Sequence, residues 1–262
     1  MDRIQDKTFV VTGGGNRIGL SFVQWLLQDR AKIVAIVDLE NGSTAARVTE
    51  LGREFGKGRV QYYHCDVSNG QQLEETFAKI WNTLSSIDVV INNASIINDR
   101  KWEQTIGVNV NGVIQGSLLA MNYMGKHNGG EGGTVVNISS IAGLDVLPSW
   151  PVYCSSKHAV IIFSRALQES FEKTGVRVLV LCSGVTTTSC IEELDHKSLD
   201  FVDEKHFEDF KNNCPRQSTE NVAKAMINLL LKGTNGSIWV SEAQKPPYAV
   251  EFPPCRKVEL NL

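Results

Sequence analysis

The chain has no basic block or stripe, no cysteines in Cys-x-x-Cys spacing, and no apolar run approaching the ~18 residues that a membrane-spanning helix needs. Lys and Arg number 26 against 29 Asp and Glu, so nothing in the charge balance suits a nucleic-acid backbone. Six cysteines (Cys65, Cys154, Cys182, Cys190, Cys214 and Cys255) are sparse for 262 residues and read as reduced cytoplasmic thiols rather than a disulfide framework. The opening segment, Met1-Asp-Arg-Ile-Gln-Asp-Lys7, is charged and lacks the apolar core of a secretory signal. No linker, low-complexity tract, short repeat or metal-ligating set divides or marks the chain. With 42% hydrophobic residues it can fill one large core, so residues 1–262 are expected to form a single domain.

Short apolar runs alternate with amphipathic stretches. Strands are expected at 7–12 (KTFVVT), 32–37 (KIVAIV), 59–64, 87–91 (IDVVI), 133–138, 176–181 (VRVLVL) and 237–240. Helices are expected at 18–28, 43–55 and 71–84, as one long helix within 102–126, and at 152–173 and 219–231. Strands that are apolar throughout and alternate with helices predict a Rossmann-like, doubly wound α/β fold, a parallel seven-stranded sheet flanked by helices. Residues 186–215 break this rhythm with scattered large apolar side chains (Ile191, Leu194, Leu199, Phe201, Phe207, Phe210) and are expected to form a substrate loop; 241–262 is left as a C-terminal tail.

Two regions carry chemistry. The first expected strand runs into Thr12-Gly-Gly-Gly-Asn-Arg-Ile-Gly19, which opens a helix. Glycines there permit a tight turn, and the helix N-terminus offers free N–H groups to a pyrophosphate. Asp38 closes the second strand, where a carboxylate can bind the adenosine ribose hydroxyls and repel a phosphate, favouring NAD over NADP. Asp66 in His64-Cys-Asp-Val67 is placed to reach an adenine amino group, and Asn92-Asn-Ala-Ser95 to tie loops beneath a cofactor. The second region is Pro151-Val-Tyr-Cys-Ser-Ser-Lys157. Tyr153 and Lys157 are four apart on one helix face. An ammonium near a phenol lowers its pKa and makes it a usable general base. A packed ring beside a solvated lysine gives the same spacing, so the pair acquires meaning only from the rest of the chain.

Over nearly its full length the chain resembles the short-chain dehydrogenase/reductase family. The Thr12–Gly19 turn, Cys65-Asp-Val67, Asn92-Asn-Ala94, Val108-Asn-Val110, Val136-Asn-Ile-Ser-Ser140 and Tyr153-x-x-x-Lys157 carry the resemblance. Asn128-Gly-Gly-Glu-Gly-Gly133 and Pro151–His158 are similar to the NAD-dependent hydroxyprostaglandin dehydrogenase branch, and Asn235-Gly-Ser-Ile-Trp239 to the insect alcohol dehydrogenase branch. The resemblance implies a tetrad: Tyr153 as general base, Lys157 lowering its pKa and binding the nicotinamide ribose, Ser140 orienting the substrate oxygen, and Asn109 holding a relay water. It implies NAD contacts from Gly13, Asn16, Arg17, Ile18, Gly19, Asp38, Leu39, Asp66, Val67, Asn93, Ala94, Tyr153, Lys157, Thr186 and Thr188. It also implies a small-molecule alcohol or carbonyl substrate and a homodimer or homotetramer joined through the helices of 102–126 and 152–173.

Three positions depart from the family pattern: Arg17 and Ser95 stand where glycine is usual, and Ser183 replaces a proline. If Arg17 must adopt a left-handed conformation it carries a steric cost, offset where its guanidinium reaches a phosphate. Loss of the proline is expected to loosen the loop bearing Thr186 and Thr188. Trp150 is expected to line the substrate site with Ser140 and Tyr153; a glutamine occupies the matching place in the prostaglandin enzymes, so the indole narrows the pocket and argues against prostaglandin. His158, His127 and Cys154 read as structural. The function expected is NAD-dependent oxidation of an apolar secondary or primary alcohol, against the alternatives of a carbonyl reductase or a non-catalytic binding protein.

Overall fold

Thr8–Thr12 are buried without exception, as a strand covered on both faces must be. Alternation of side chains divides them between two cores: Phe9 and Val11 face one layer of helices, Val10 the other. A computed structural model gives the fold for residues 3–39, 44–187 and 194–252. The strands are β1 (Thr8–Thr12), β2 (Ile33–Asp38), β3 (Val60–His64), β4 (Val89–Asn92), β5 (Gly133–Ser140), β6 (Val176–Ser183), β7 (Ile238–Ser241) and β8 (Tyr248–Ala249). They form one sheet in the order β3-β2-β1-β4-β5-β6-β7-β8.

The sheet therefore has eight strands among the described residues, where seven were expected. The addition is β8, which pairs antiparallel with β7 inside the expected tail. Its two residues are both exposed, so no apolar run announces it. Helices α1 (Arg17–Gln28), α2 (Thr44–Phe55) and α9 (Thr219–Lys232) cover one face. On the other lie α3 (Gly70–Leu84), α5 (Gly112–Met124) and α6 (Pro151–Leu167). The strand order reverses between β1 and β4, and the crevice at their carboxyl ends is where such sheets bind ligands.

The long helix expected within 102–126 is interrupted. α4 (Trp102–Ile106) passes through a π-helical turn, Gly107–Asn111, into α5. The helix expected at 152–173 likewise ends at Leu167 and continues as a 3₁₀ turn and the short α7 (Phe171–Thr174). The segment 186–215 contains a further helix, α8 (Glu204–Asn213), on which Phe207 is the buried residue. Ser183 does not begin a loop: β6 runs through it, in register with Ser140 and Ser241, and its hydroxyl donates to the Ser139 carbonyl at 3.4 Å. Serine supplies the backbone N–H that a proline in a strand lacks.

Candidate active site

The glycine-rich turn is shaped by two close approaches. Gly13 has φ +64°, and a Cβ on Gly19 would fall on the Gly13 carbonyl oxygen. Asn93 Nδ2 donates to the carbonyls of Thr12 and Gly13 at 3.0 and 3.1 Å, while Thr12 Oγ1 accepts from the backbone N–H groups of Asn93 and Ala94. These bonds lock the ends of β1 and β4 together. The N-cap of α1, Asn16, makes no side-chain capping bond, and the first turn of α1 carries no acidic residue. That terminus, with its glycine cradle, fits the pyrophosphate of a dinucleotide.

Asn16 Oδ1 is engaged instead by Arg47 of α2, whose guanidinium also donates to the Gly15 carbonyl at 2.9 Å. Asp38 lies alongside: Oδ2 accepts from Gly15 N and Oδ1 from Leu39 N, both at 2.8 Å. Burial pushes the Asp38 carboxyl above its ordinary pKa, opposed by those two N–H groups and by Arg47. The sequence reading missed Arg47, because helical periodicity does not reveal that α2 turns it back onto the phosphate turn. Arg17 has φ +48°, so the left-handed conformation considered from sequence is present and is held by a residue with a Cβ. Ser95 has no positive φ, so glycine is not required there.

Asp66 Oδ1 accepts from the N–H and hydroxyl of Ser68 at 2.9 and 2.7 Å, making a turn at the end of β3. Val67 is buried beside Gly112, and the Leu39 side chain is half exposed at the crevice rim. Thr186 Oγ1 donates to the Gly184 carbonyl. Thr188, Cys190 and Ile191 lie outside the described residues.

α6 carries the second half of the site. Tyr153, Ser156 and Lys157 are buried on one face. Lys157 Nζ stands 5.7 Å from the Tyr153 ring centroid and donates to the Ile138 carbonyl at 3.2 Å. Burial pulls the Lys157 ammonium down to about 8. Ser139 and Ser140 diverge at the end of β5: Ser139 Oγ donates to the Lys157 carbonyl at 2.8 Å, whereas Ser140 lines a cavity together with Tyr153. Asn109, fully buried in the π-helical turn, donates from Nδ2 to the Ile96 carbonyl and Ser156 Oγ and accepts from Ile96 N. Both amide hydrogens are thereby used, so the side chain binds the loop after β4 to α6 and has no hydrogen left for a water.

The cavity, about 140 Å³, runs from Ile18 and residues 184–186 past Ser140 and Tyr153 to Ile97, Leu147, Trp150, Leu194 and Phe210. Ile18 and Thr186, expected against a cofactor, thus share it with the expected substrate residues. Phe201 does not contribute: it is 84% exposed, and Phe210 of α8 takes the wall position instead. Trp150 is fully buried, with Phe207 and Phe210 edge-on to its indole at 5.7 and 5.0 Å.

A buried carboxylate completes the arrangement. Asp99, just after β4, accepts from Val152 N at 2.7 Å and Tyr153 N at 3.0 Å, capping α6 from outside the helix. Burial raises its pKa and the two N–H groups oppose that rise. Nothing in sequence pairs it with residues more than fifty positions away. Cys154 exchanges weak bonds with Leu147 and burial raises its thiol pKa, so it is no nucleophile; His158 Nδ1 lies 2.9 Å from the Gly143 carbonyl. Among the described residues no helix is long and apolar enough to cross a membrane.

Residues 7–199 match the model of the family described as short chain dehydrogenase. The chain is 39% identical over 194 residues to the 15-hydroxyprostaglandin dehydrogenase [NAD(+)] of Rattus norvegicus, covering 73% of each. It is 30% identical over 237 residues to alcohol dehydrogenase 1 of Ceratitis capitata, covering 90% of this chain and 91% of that one. A short chain dehydrogenase from Burkholderia cenocepacia, solved in complex with NADP, superposes with a TM-score of 0.75 at 22% identity over 92% of this chain and 98% of its own. At that identity the likeness concerns the fold.

Proposed function

The chain belongs to the short-chain dehydrogenase family of oxidoreductases, which act on small molecules with a nicotinamide cofactor, and we propose that within it this protein is an NAD-dependent dehydrogenase oxidising an apolar, uncharged alcohol to its carbonyl. The observation that carries this reading is the meeting of Ser140 and Tyr153 in one cavity, with the Lys157 ammonium below the phenol. Alcohol oxidation removes a hydride from carbon and a proton from oxygen, so a base and an oxygen-binding donor must converge on one oxygen. Tyr153 takes the proton, Ser140 holds the oxygen and Lys157 favours the phenolate. Bound NAD would supply the hydride acceptor.

Gly13, Asn16, Arg17, Ile18, Gly19, Asp38, Leu39, Asp66, Val67, Asn93, Ala94 and Thr186 would hold that cofactor, with Thr188 in the same set. The preference for NAD is supported by Asp38 at the end of β2 and by the NAD(+)-dependent relatives. Residues 186–215 are read as the substrate loop, supported by Leu194 and Phe210 in the cavity wall. Exposed apolar residues on the expected pairing helices, Leu118 on α5 and Ile162 on α6, support a homodimer or homotetramer. A cytoplasmic location is supported by the free thiols of Cys65, Cys154, Cys182 and Cys214.

The test is titration with NADH and NADPH, followed by energy transfer from tryptophan, and then an alcohol screen with the wild type and Tyr153→Phe. The reading expects tighter binding of NADH, NAD-linked turnover, and a variant that binds NADH but does not turn over. Undiminished turnover by Tyr153→Phe would remove Tyr153 as the base, and binding of neither nucleotide would favour a non-catalytic protein.

A further inference from the structure

Two hydroxyls end the apolar face that β5 and β6 turn towards α1. Val136 and Ile138 on β5 and Leu179 and Leu181 on β6 belong to the core that α1 covers. Side chains alternate along a strand, so the next residues on that face are Ser140 and Ser183. They are partners in register on neighbouring strands, and both line the cavity with Ile18 from the first turn of α1. Ser140 has a part in the proposed reaction and Ser183 has none. The Ser183 hydroxyl donates to the Ser139 carbonyl at 3.4 Å, long against the roughly 2.7–2.8 Å usual for a hydroxyl donor, so its proton is held loosely.

The direction of a bound dinucleotide follows from the sheet. The pyrophosphate fits the N-terminus of α1 after β1, and Asp38 marks the adenosine side at the end of β2. The other half then runs the opposite way across the crevice, over the carboxyl ends of β4, β5 and β6. That half ends in a carboxamide, a neutral group with one carbonyl acceptor. No described side chain lining the cavity carries a charge, so the amide must be met by a neutral donor. Ser140 and Tyr153 are engaged with the substrate oxygen in the proposed reaction, the Thr186 hydroxyl donates to the Gly184 carbonyl at 3.0 Å, and the Trp150 nitrogen is shielded from solvent. Ser183 is the donor left. Resting on the dehydrogenase reading, we propose that Ser183 is a cofactor-binding residue whose hydroxyl leaves the Ser139 carbonyl and donates to the carboxamide oxygen of the nicotinamide. The proline usual at this position has no group able to do so.

The probes are NADH, ADP-ribose, which is the same nucleotide without the nicotinamide, and the reduced thionicotinamide analogue, whose sulfur is a poorer acceptor than oxygen. Calorimetry without substrate reads binding alone, so turnover plays no part. Wild-type protein binds NADH more tightly than the sulfur analogue. Ser183→Ala weakens NADH about fivefold, as for one neutral hydrogen bond, leaves ADP-ribose unchanged and loses most of the preference for oxygen over sulfur. Unchanged NADH affinity in Ser183→Ala overturns the proposal, as does an equal loss for NADH and ADP-ribose in a variant that unfolds at the wild-type temperature. A wild-type protein indifferent to oxygen or sulfur overturns it without recourse to a variant. Binding of neither NADH nor ADP-ribose by the wild type overturns instead the cofactor reading on which the proposal rests.

Discussion

Asp99 accepts the backbone N–H of Tyr153 at 3.0 Å from a position fully shielded from solvent. A carboxylate there satisfies two N–H groups of the first turn of α6 and complements the positive end of the helix. The aim of the phenol is thereby tied to the loop after β4. Asp99→Ala is expected to lower stability by about 0.5–2 kcal/mol, the range for loss of a helix cap, to reduce kcat, and to leave NADH affinity unchanged. Urea denaturation and steady-state kinetics check both parts; an unchanged kcat would reduce Asp99 to a stabilising cap.

Lys157 is expected to trade stability for activity. Its folded-state pKa of about 8 lies below its ordinary value of 10.5, so between those pH values the unfolded chain binds a proton that the folded chain does not. Stability then rises with pH across that window. Lys157→Met should abolish turnover yet make the protein more stable at pH 7, by up to about 3 kcal/mol from the conversion of a pKa shift into free energy. The gain should shrink as pH climbs from about 8 towards 10.5. Thermal unfolding at a series of pH values reads this; a gain constant with pH would place its origin outside the ammonium.

Arg17 holds φ +48° with a β-carbon. Arg17→Gly should raise the unfolding free energy by about 1 kcal/mol, the left-handed penalty less the extra entropy of an unfolded glycine. Arg17→Ala, which keeps the β-carbon, should not. Equal effects from the two substitutions would attribute the change to the guanidinium rather than to the backbone.

Asp38 and Arg47 meet at the phosphate turn with opposite charge. Removing the carboxylate leaves a guanidinium beside the expected ribose site. Asp38→Ala should therefore improve NADPH binding by tenfold or more, in the range of a charge-assisted contact, and Asp38→Ala with Arg47→Ala should give that improvement back. NADPH fluorescence titration of both variants decides; a double variant that binds as well as the single one would clear Arg47 of any part.

What could be read from residues alone was whatever sequence separation does not hide. Strands such as Val176–Ser183 are apolar because both faces are covered, and Tyr153 and Lys157 are neighbours on one helix. The Asp99 cap joins residues of two elements distant in sequence, and Arg47 reaches the phosphate turn from a third, so neither leaves a local pattern. α8 escaped because ten residues with one buried phenylalanine look like a polar loop, and Phe201 misled because a large apolar residue need not face inward. Asn109 stands out in sequence by its motif, but the use of both its amide hydrogens depends on Ile96 and Ser156, which only the fold brings to it.

The π-helical turn at Gly107–Asn111 also sets how this region can change length. Such a turn holds one residue more than the α-helix would. Removing one of the five would let the turn close to ordinary α-helix, so Ser117 would keep facing Asn92 and Asn137, and Ala120, Met121 and Met124 the core. A deletion further along α5, where no extra residue is present to absorb it, would rotate everything downstream by about 100°. Variation in length among related chains should therefore be tolerated at this turn and excluded from the helix beyond it.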